Sequence, residues 1–390
     1  MDSSTSQPDL TTEAGMSAYL TARSISHTSI TLLTGGNVNY VYRVTCPSET
    51  SSSSSTTSES IASQKERTFI YKHSEAYLHF SPTFAFDPAR MDYENHVLIV
   101  VPELMDRYVP GKVCSVHSAK RYSYDAEKRV LCLEDGGERE LKKAYADPLL
   151  NIPAIGTEMG RWIAALHMST KKTSLSLTGA KDDVDLKANN PIGVEIYRYS
   201  YNNLSDAFAK YGHDVELANR VNEKFGSRLA ADNECLCHGD YWPGNVLVKF
   251  RDERQEEVDL TVVDWEITRR GTSATDVGQF AAEAFLLDRF RGDRGILAAF
   301  LDAYLTERDF GAGAVEGVDE QEWITRMLVH WAVHIAFWPT RVEWTDREGT
   351  QDLVDMGRAV LISALDGDWA KLRNCQLLRS AGGRLADILA

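Results

Sequence analysis

The stretch Cys237-His238-Gly239-Asp240-Tyr241-Trp242-Pro243-Gly244-Asn245 constrains this chain more than any other part of it. It sets an aspartate five residues before an asparagine, and the apolar run Leu260-Thr261-Val262-Val263 then delivers a second acid, Asp264. Such a trio suits phosphoryl transfer from ATP. That chemistry needs one carboxylate to take or orient a hydroxyl proton, and an amide and a carboxylate to hold Mg²⁺. The transferred group carries several negative charges, so catalysis there is mainly positioning and charge neutralisation.

Other parts that this chemistry needs lie upstream. The run Leu32-Leu33-Thr34-Gly35-Gly36-Asn37-Val38-Asn39-Tyr40-Val41-Tyr42-Arg43-Val44 begins as a glycine turn, in which Gly35 and Gly36 allow positive φ and close backbone approach. Backbone N–H groups in such a turn, with Asn37 and Asn39 beside them, can cradle phosphate oxygens. The run continues as a strand with Val38, Tyr40, Tyr42 and Val44 on one face. Taken alone, two glycines before a strand more often make a plain hairpin. Lys72 follows inside the hydrophobic strand Phe69-Ile70-Tyr71-Lys72-His73, placed to reach the α- and β-phosphates, and Glu94 in Arg90-Met91-Asp92-Tyr93-Glu94 is its expected partner. A single lysine in a strand is usually a solvated edge residue. The order of glycine turn, lysine, glutamate, loop and metal acid makes the joint pattern far more specific than any member.

On these motifs the chain resembles the superfamily of aminoglycoside phosphotransferases, choline kinases and methylthioribose kinases. Its nearest likeness there is to small-molecule kinases related to methylthioribose kinase, 4-hydroxytryptamine kinase among them. The resemblance runs from about Leu32 to about Leu361 and includes Ile155-Gly156-Thr157-Glu158-Met159-Gly160, Val263-Asp264-Trp265-Glu266 and Asp276-Val277-Gly278-Gln279-Phe280. It implies Asp240 as catalytic base, Asn245 and Asp264 as Mg²⁺ ligands, Lys72 as phosphate anchor and Glu94 as its ion-pair partner. Glu266 would be a second acid touching metal or substrate, and Asp276 the buried acid that braces the catalytic loop. The run ending in Leu133-Glu134-Asp135 resembles the hinge whose backbone pairs with adenine. The implied fold is α+β and bilobal, protein-kinase-like: residues 1–135 form a nucleotide-binding lobe with an antiparallel sheet plus a helix, and 136–390 a larger, mostly helical lobe carrying the catalytic loop and acceptor site. A serine-rich loop, 46–66, is expected to be disordered within the first, and residues 1–12 to be frayed.

Protein kinases carry His-Arg-Asp and Asp-Phe-Gly signatures; here Gly239 replaces the arginine and Trp265-Glu266 follow the metal acid, so a protein acceptor is not expected. The net charge of −15 argues against nucleic-acid phosphates as partners and would tolerate a cationic acceptor. Cys46, Cys114, Cys132, Cys235, Cys237 and Cys375 show no zinc spacing, and no apolar run reaches membrane-spanning length, so buried free thiols and a cytoplasmic setting are expected. Helices are expected from Ile155 to His167, where apolar residues recur at three and four, and at about 275–290, 296–306, 321–337 and 350–365.

The acceptor is expected to be a small hydroxyl-bearing molecule, amine-bearing or aromatic. Tyr241, Trp242, Glu266 and Trp338 are candidates to touch it, through stacking or cation–π contact for the aromatics. Arg269, Arg270, Trp331, Phe337 and Trp344 are further candidates, although tryptophans at helical spacing are more often core. Two other readings stay open: a catalytically silent nucleotide-binding or regulatory protein on the same fold, and a metallohydrolase using His238, Asp240 and Asp264.

Overall fold

The computed structural model describes residues 7–36, 38–47, 66–108, 115–177, 185–251, 257–308 and 320–381. Asn37, Cys114 and the serine-rich segment 48–65 lie outside the described residues. The chain forms two compact units, Met1–Asn95 with Ala119–Asp135, and His96–Ser118 with Gly136–Ala390. Their division is therefore not a single cut of the chain.

In the first unit, α1 (Glu13–Ala22) precedes β1 (Ser29–Leu32), β2 (Tyr40–Cys46) and β3 (Arg67–His73). A short hairpin of β4 (Tyr77–Leu78) and β5 (Ser81–Ala85) leads into α2 (Arg90–Tyr108), whose later turns belong to the second unit. After β6 (Val116–Ser118), the strands β7 (Arg121–Asp125) and β8 (Val130–Glu134) return to complete an antiparallel sheet ordered β1-β2-β3-β8-β7. Alternation decides which face is covered: Tyr40, Tyr42 and Val44 of β2 are buried, as their period-two spacing requires. They pack with Tyr71, Val130 and Cys132 against Met16, Tyr19 and Leu20 of α1.

The start of the chain departs from expectation. Residues 7–12 are ordered rather than frayed, because Leu10 is buried in that core and its carbonyl accepts the Tyr42 hydroxyl at 2.8 Å. Thr12 caps α1, accepting the Gly15 N–H at 3.0 Å.

In the second unit, β6 pairs in parallel with β12 (Val258–Val262), which pairs antiparallel with β11 (Val246–Phe250); β9 (Arg139–Glu140) closes the far edge. A second small ladder joins β10 (Cys235–Cys237) to β13 (Arg269–Gly271). The rest is mainly helical: α3 (Leu141–Ala144), α4 (Ile152–Ser169), the short run α5 (Pro191–Tyr197), α6 (Tyr199–Asn202), α7 (Leu204–Lys210) and α8 (Val215–Lys224), then α9 (Ser273–Arg291), α10 (Ile296–Arg308), α11 (Glu320–Phe337) and α12 (Arg347–Asp366). Helix α4 falls where apolar periodicity put it, and α9 to α12 lie where helices were expected. Gly156 and Gly160 let α4 lie close to α10; a Cβ at 160 would come within 2.4 Å of the Phe300 carbonyl. Helix α9 is buried on nearly every side through its first four turns, which makes it a rigid base for the loop above it.

Candidate active site

In the first unit, the glycine turn joins β1 to β2 and is pinned by the Leu33 N–H donating to the Val41 carbonyl at 2.8 Å. Gly35 sits at φ 154°, a backbone region that side-chain-bearing residues avoid, and both Gly35 and Gly36 are exposed. Asn39 is buried two residues beyond Asn37, and its carbonyl oxygen accepts from the Arg90 guanidinium at 2.9 Å. That arginine also donates to the carbonyls of Glu75, Phe86 and Asp87, so Asn39 fixes the start of α2 to the turn. Four residues further along α2, Glu94 accepts from the Lys72 ammonium at 2.8 Å, and both side chains are buried. On β8, Leu133 is buried opposite Ile70. Glu134 accepts the Lys120 N–H at 3.0 Å, and Asp135 forms a two-pronged pair with Arg43 at 2.8 and 3.1 Å.

In the second unit, one buried carboxylate on α9 organises the loop. Asp276 accepts the N–H of His238 at 2.7 Å and that of Gly239 at 3.1 Å, and its third partner is the His167 ring at 3.2 Å. Burial raises this carboxyl, but the hydrogen bond and charge of His167 and the nearby Arg269 hold it below its ordinary value. The other His167 nitrogen meets the Tyr304 hydroxyl at 3.0 Å, so this histidine is structural. Gly239 has φ 88°, and a Cβ there would lie 2.2 Å from the Ile267 carbonyl. Only glycine fits. The His238 Nδ1 accepts the Asp240 N–H at 3.2 Å, which leaves its Nε2–H to donate to the Val263 carbonyl at 3.1 Å. Both ring nitrogens are thereby committed to backbone, so His238 is no metal ligand and the hydrolase reading loses its third group.

Asp240 projects into a clamp of three donors. Gln279 Nε2 reaches Oδ1 at 2.7 Å, while Asn245 Nδ2 and Trp242 Nε1 reach Oδ2 at 2.8 and 3.2 Å. Burial pushes this carboxyl up, the charge of Asp264 adds to the effect, and the three donors oppose it; the result is about 7. Gln279 was not foreseen. It lies one helical turn beyond Asp276 on α9, so the i, i+3 spacing in Asp276-Val277-Gly278-Gln279 was the available signal.

Asp264 follows β12 with φ 68°, a left-handed conformation costly for aspartate and characteristic of functional turns. Its carboxylate lies within 4.8 Å of that of Glu266. The amide N–H groups of Asn245 are spent on the Asp240 carbonyl and carboxylate, which turns its Oδ1 away as the remaining donor atom. An all-oxygen set of this kind fits a hard cation such as Mg²⁺.

The remaining candidates spread out. Tyr241 is fully buried, its hydroxyl donating to the Met159 carbonyl at 3.0 Å and its ring among Trp162, Phe280 and Phe300. Trp242 is half-buried beside Asp240. Glu266 is buried. Trp338 is half-buried, its ring 6.2 Å from those of Tyr199 and His334. Arg269 and Arg270 do not face solvent. Arg269 is buried 3.8 Å over the Tyr197 ring, and Arg270 donates to backbone carbonyls including that of Lys171 at 2.9 Å. Trp331 and Phe337 are core. The five described cysteines are free. No described helix is long and apolar enough to cross a membrane.

The chain belongs to the phosphotransferase enzyme family, which matches residues 68–316. It is similar to the 4-hydroxytryptamine kinase of Psilocybe cubensis, 24% identical over 368 residues that cover 91% of this chain and 94% of the relative. The 4-hydroxytryptamine kinase of Psilocybe cyanescens is 24% identical over 357 residues, 90% of this chain and 92% of the relative. Among solved structures, an ethanolamine kinase of Plasmodium vivax aligns with TM-score 0.44 and 12% identity over 87% of this chain and 81% of that one. The fold is α+β, and the activity is that of a small-molecule kinase, which passes a phosphate from ATP to a hydroxyl.

Proposed function

We propose that Asp240 is the catalytic base of this kinase, and the clamp of three N–H donors around it carries that reading. A carboxyl held near neutrality and fixed in direction can accept a hydroxyl proton as the oxygen attacks. The acceptor oxygen bonds to the γ-phosphorus, the bond to the β–γ bridging oxygen breaks, ADP leaves, and the proton passes to Asp240 and then to water. Asn245 and Asp264 would hold Mg²⁺, with Glu266 available to the metal or the acceptor; the ion would supply neutralisation of phosphate charge.

Lys72, held by Glu94, anchors the α- and β-phosphates. Gly35 and Gly36 form the phosphate turn, Asn39 steadies it through Arg90, and the backbone of Leu133-Glu134-Asp135 receives adenine. Trp242 and Trp338 offer ring faces to an aromatic acceptor, and Tyr241 supports the loop from beneath. Free, largely buried cysteines favour a reducing cytoplasm. In the purified protein, Asp240→Ala should abolish ADP release across a panel of hydroxylated metabolites while Mg·ATP still binds in calorimetry. Retained turnover would refute the base. Nucleotide binding with no turnover in the wild type on any acceptor would favour the catalytically silent alternative.

A further inference from the structure

Trp242 has two neighbours of opposite kind. One edge of its indole donates to Asp240 at 3.2 Å, and over its ring, 4.8 Å from the centroid, lies the ammonium of Lys142. The same ammonium lies 4.2 Å from the centroid of Trp344 and 3.2 Å from Glu283 Oε2. Glu283 in turn accepts from His334 Nε2 at 2.9 Å. Two indoles and a carboxylate converging on one point form an ammonium site, and cations bind indole faces through the ring quadrupole. Here that site holds a side chain of the protein itself, brought in by α3 after the β9 edge strand.

The site is built and buried rather than a chance surface contact. Glu283 and Trp344 are buried, and Lys142 is mostly so. Burial raises the Glu283 carboxyl, but the hydrogen bond and charge of His334 and the charge of Lys142 bring it below its ordinary value, so it stands ionised. A second cation, Arg291, lies 5.4 Å over Trp344. A further cation entering from solvent would meet the Lys142 ammonium already against both rings and find the Glu283 carboxylate already paired.

Resting on the kinase reading above, we propose that Lys142 is the resident cation of this aromatic site and determines which acceptor the kinase takes. The acceptor presents an oxygen function, uncharged or anionic, toward Trp242 and Trp344, and any ammonium it carries points elsewhere. Among the described residues Lys142 donates to one oxygen, Glu283 Oε2, so an acceptor oxygen can take a further N–H of the same ammonium. The hydroxyl to be phosphorylated then stands one indole's width away, at Asp240.

The test is an isosteric pair of probes, 1-phenylethane-1,2-diol and 2-phenylglycinol, which differ by a hydroxyl and an ammonium. Calorimetry on the full chain should give the diol at least about tenfold tighter binding in the wild type. Lys142→Met should reverse the ranking, and Lys142→Arg should preserve it. Adding Glu283→Gln to Lys142→Met should remove the new affinity for the amino alcohol. A wild type that prefers the amino alcohol, an unchanged ranking in a folded Lys142→Met variant, or no binding of either probe to any variant overturns the proposal. Should Lys142→Met fail to fold by circular dichroism, the wild-type ranking and Lys142→Arg decide it. Mg·ATP binding in the same calorimeter tests the kinase reading separately: its loss would sink that reading and leave the probe ranking standing.

Discussion

Asp240 combines two properties that usually conflict, partial burial and a readiness to carry charge, and its three donors reconcile them. Its raised value makes stability depend on pH with a definite sign. Between the unfolded value near 3.8 and the folded value of about 7, the native state binds the extra proton, so folding stability falls as pH rises through that window. Asp240→Asn removes the titration. Among the described residues Gln279 Oε1 has no hydrogen-bond partner, and it can turn to receive the new amide. Urea denaturation should therefore show the variant gaining on the wild type by about 1–2 kcal/mol between pH 6 and pH 8, while turnover falls by roughly 10²–10⁴. A gain that does not change with pH would contradict the shift. Gly239→Ala tests the loop geometry: with φ 88° and a carbonyl 2.2 Å from the new Cβ, it should cost about 1–3 kcal/mol and most of the activity. Wild-type melting and turnover in that variant would show that the loop is less constrained than its geometry implies.

Between elements, the joint of β3 and α2 is the pair Lys72–Glu94, and its burial makes the two residues interdependent. Lys72→Met leaves a carboxylate in the core without its cation and should destabilise by about 3–5 kcal/mol; Lys72→Met with Glu94→Gln should recover a large part of that, read by denaturant midpoint. A double-variant loss equal to the sum of the losses in Lys72→Met and Glu94→Gln would mean that the pair is not coupled. The same elements show what was legible beforehand. Helix α4 announced itself by apolar recurrence and β2 by alternation. The loop residues Asp240, Asn245 and Asp264 belong to linear motifs, so their mutual placement could be read from spacing. Helix α1 escaped because Gly15 and Ser17 interrupt its face, and its core contacts come from strands far along the chain. Lys142, Glu283 and His334 escaped for a similar reason: each is unremarkable in its own helix, and only packing of α3, α9 and α11 brings them together. Arg269 and Arg270 misled because paired arginines suggest a surface, whereas their strand lies buried among carbonyls and a tyrosine ring.

For the molecule as a whole, ligand linkage gives the broadest test. Mg·ATP at a hundred times its Kd should add about 2.7 kcal/mol to the unfolding free energy and raise Tm by several degrees. Chelation with EDTA should shrink that shift; an unchanged shift would contradict the assignment of Asn245 and Asp264 to a cation. The net charge of −15 should leave the protein unretained on a polyanionic resin. The pairing of β6 with β12 has a consequence for biosynthesis. Val116 waits for Leu260, its partner in the parallel ladder, to leave the ribosome, an interval of about 7–30 s at ordinary elongation speeds. A nascent chain with an unmatched β-edge for that long is vulnerable to association with its neighbours on a polysome. A strand of only three residues with a histidine at its centre offers those neighbours little to grip.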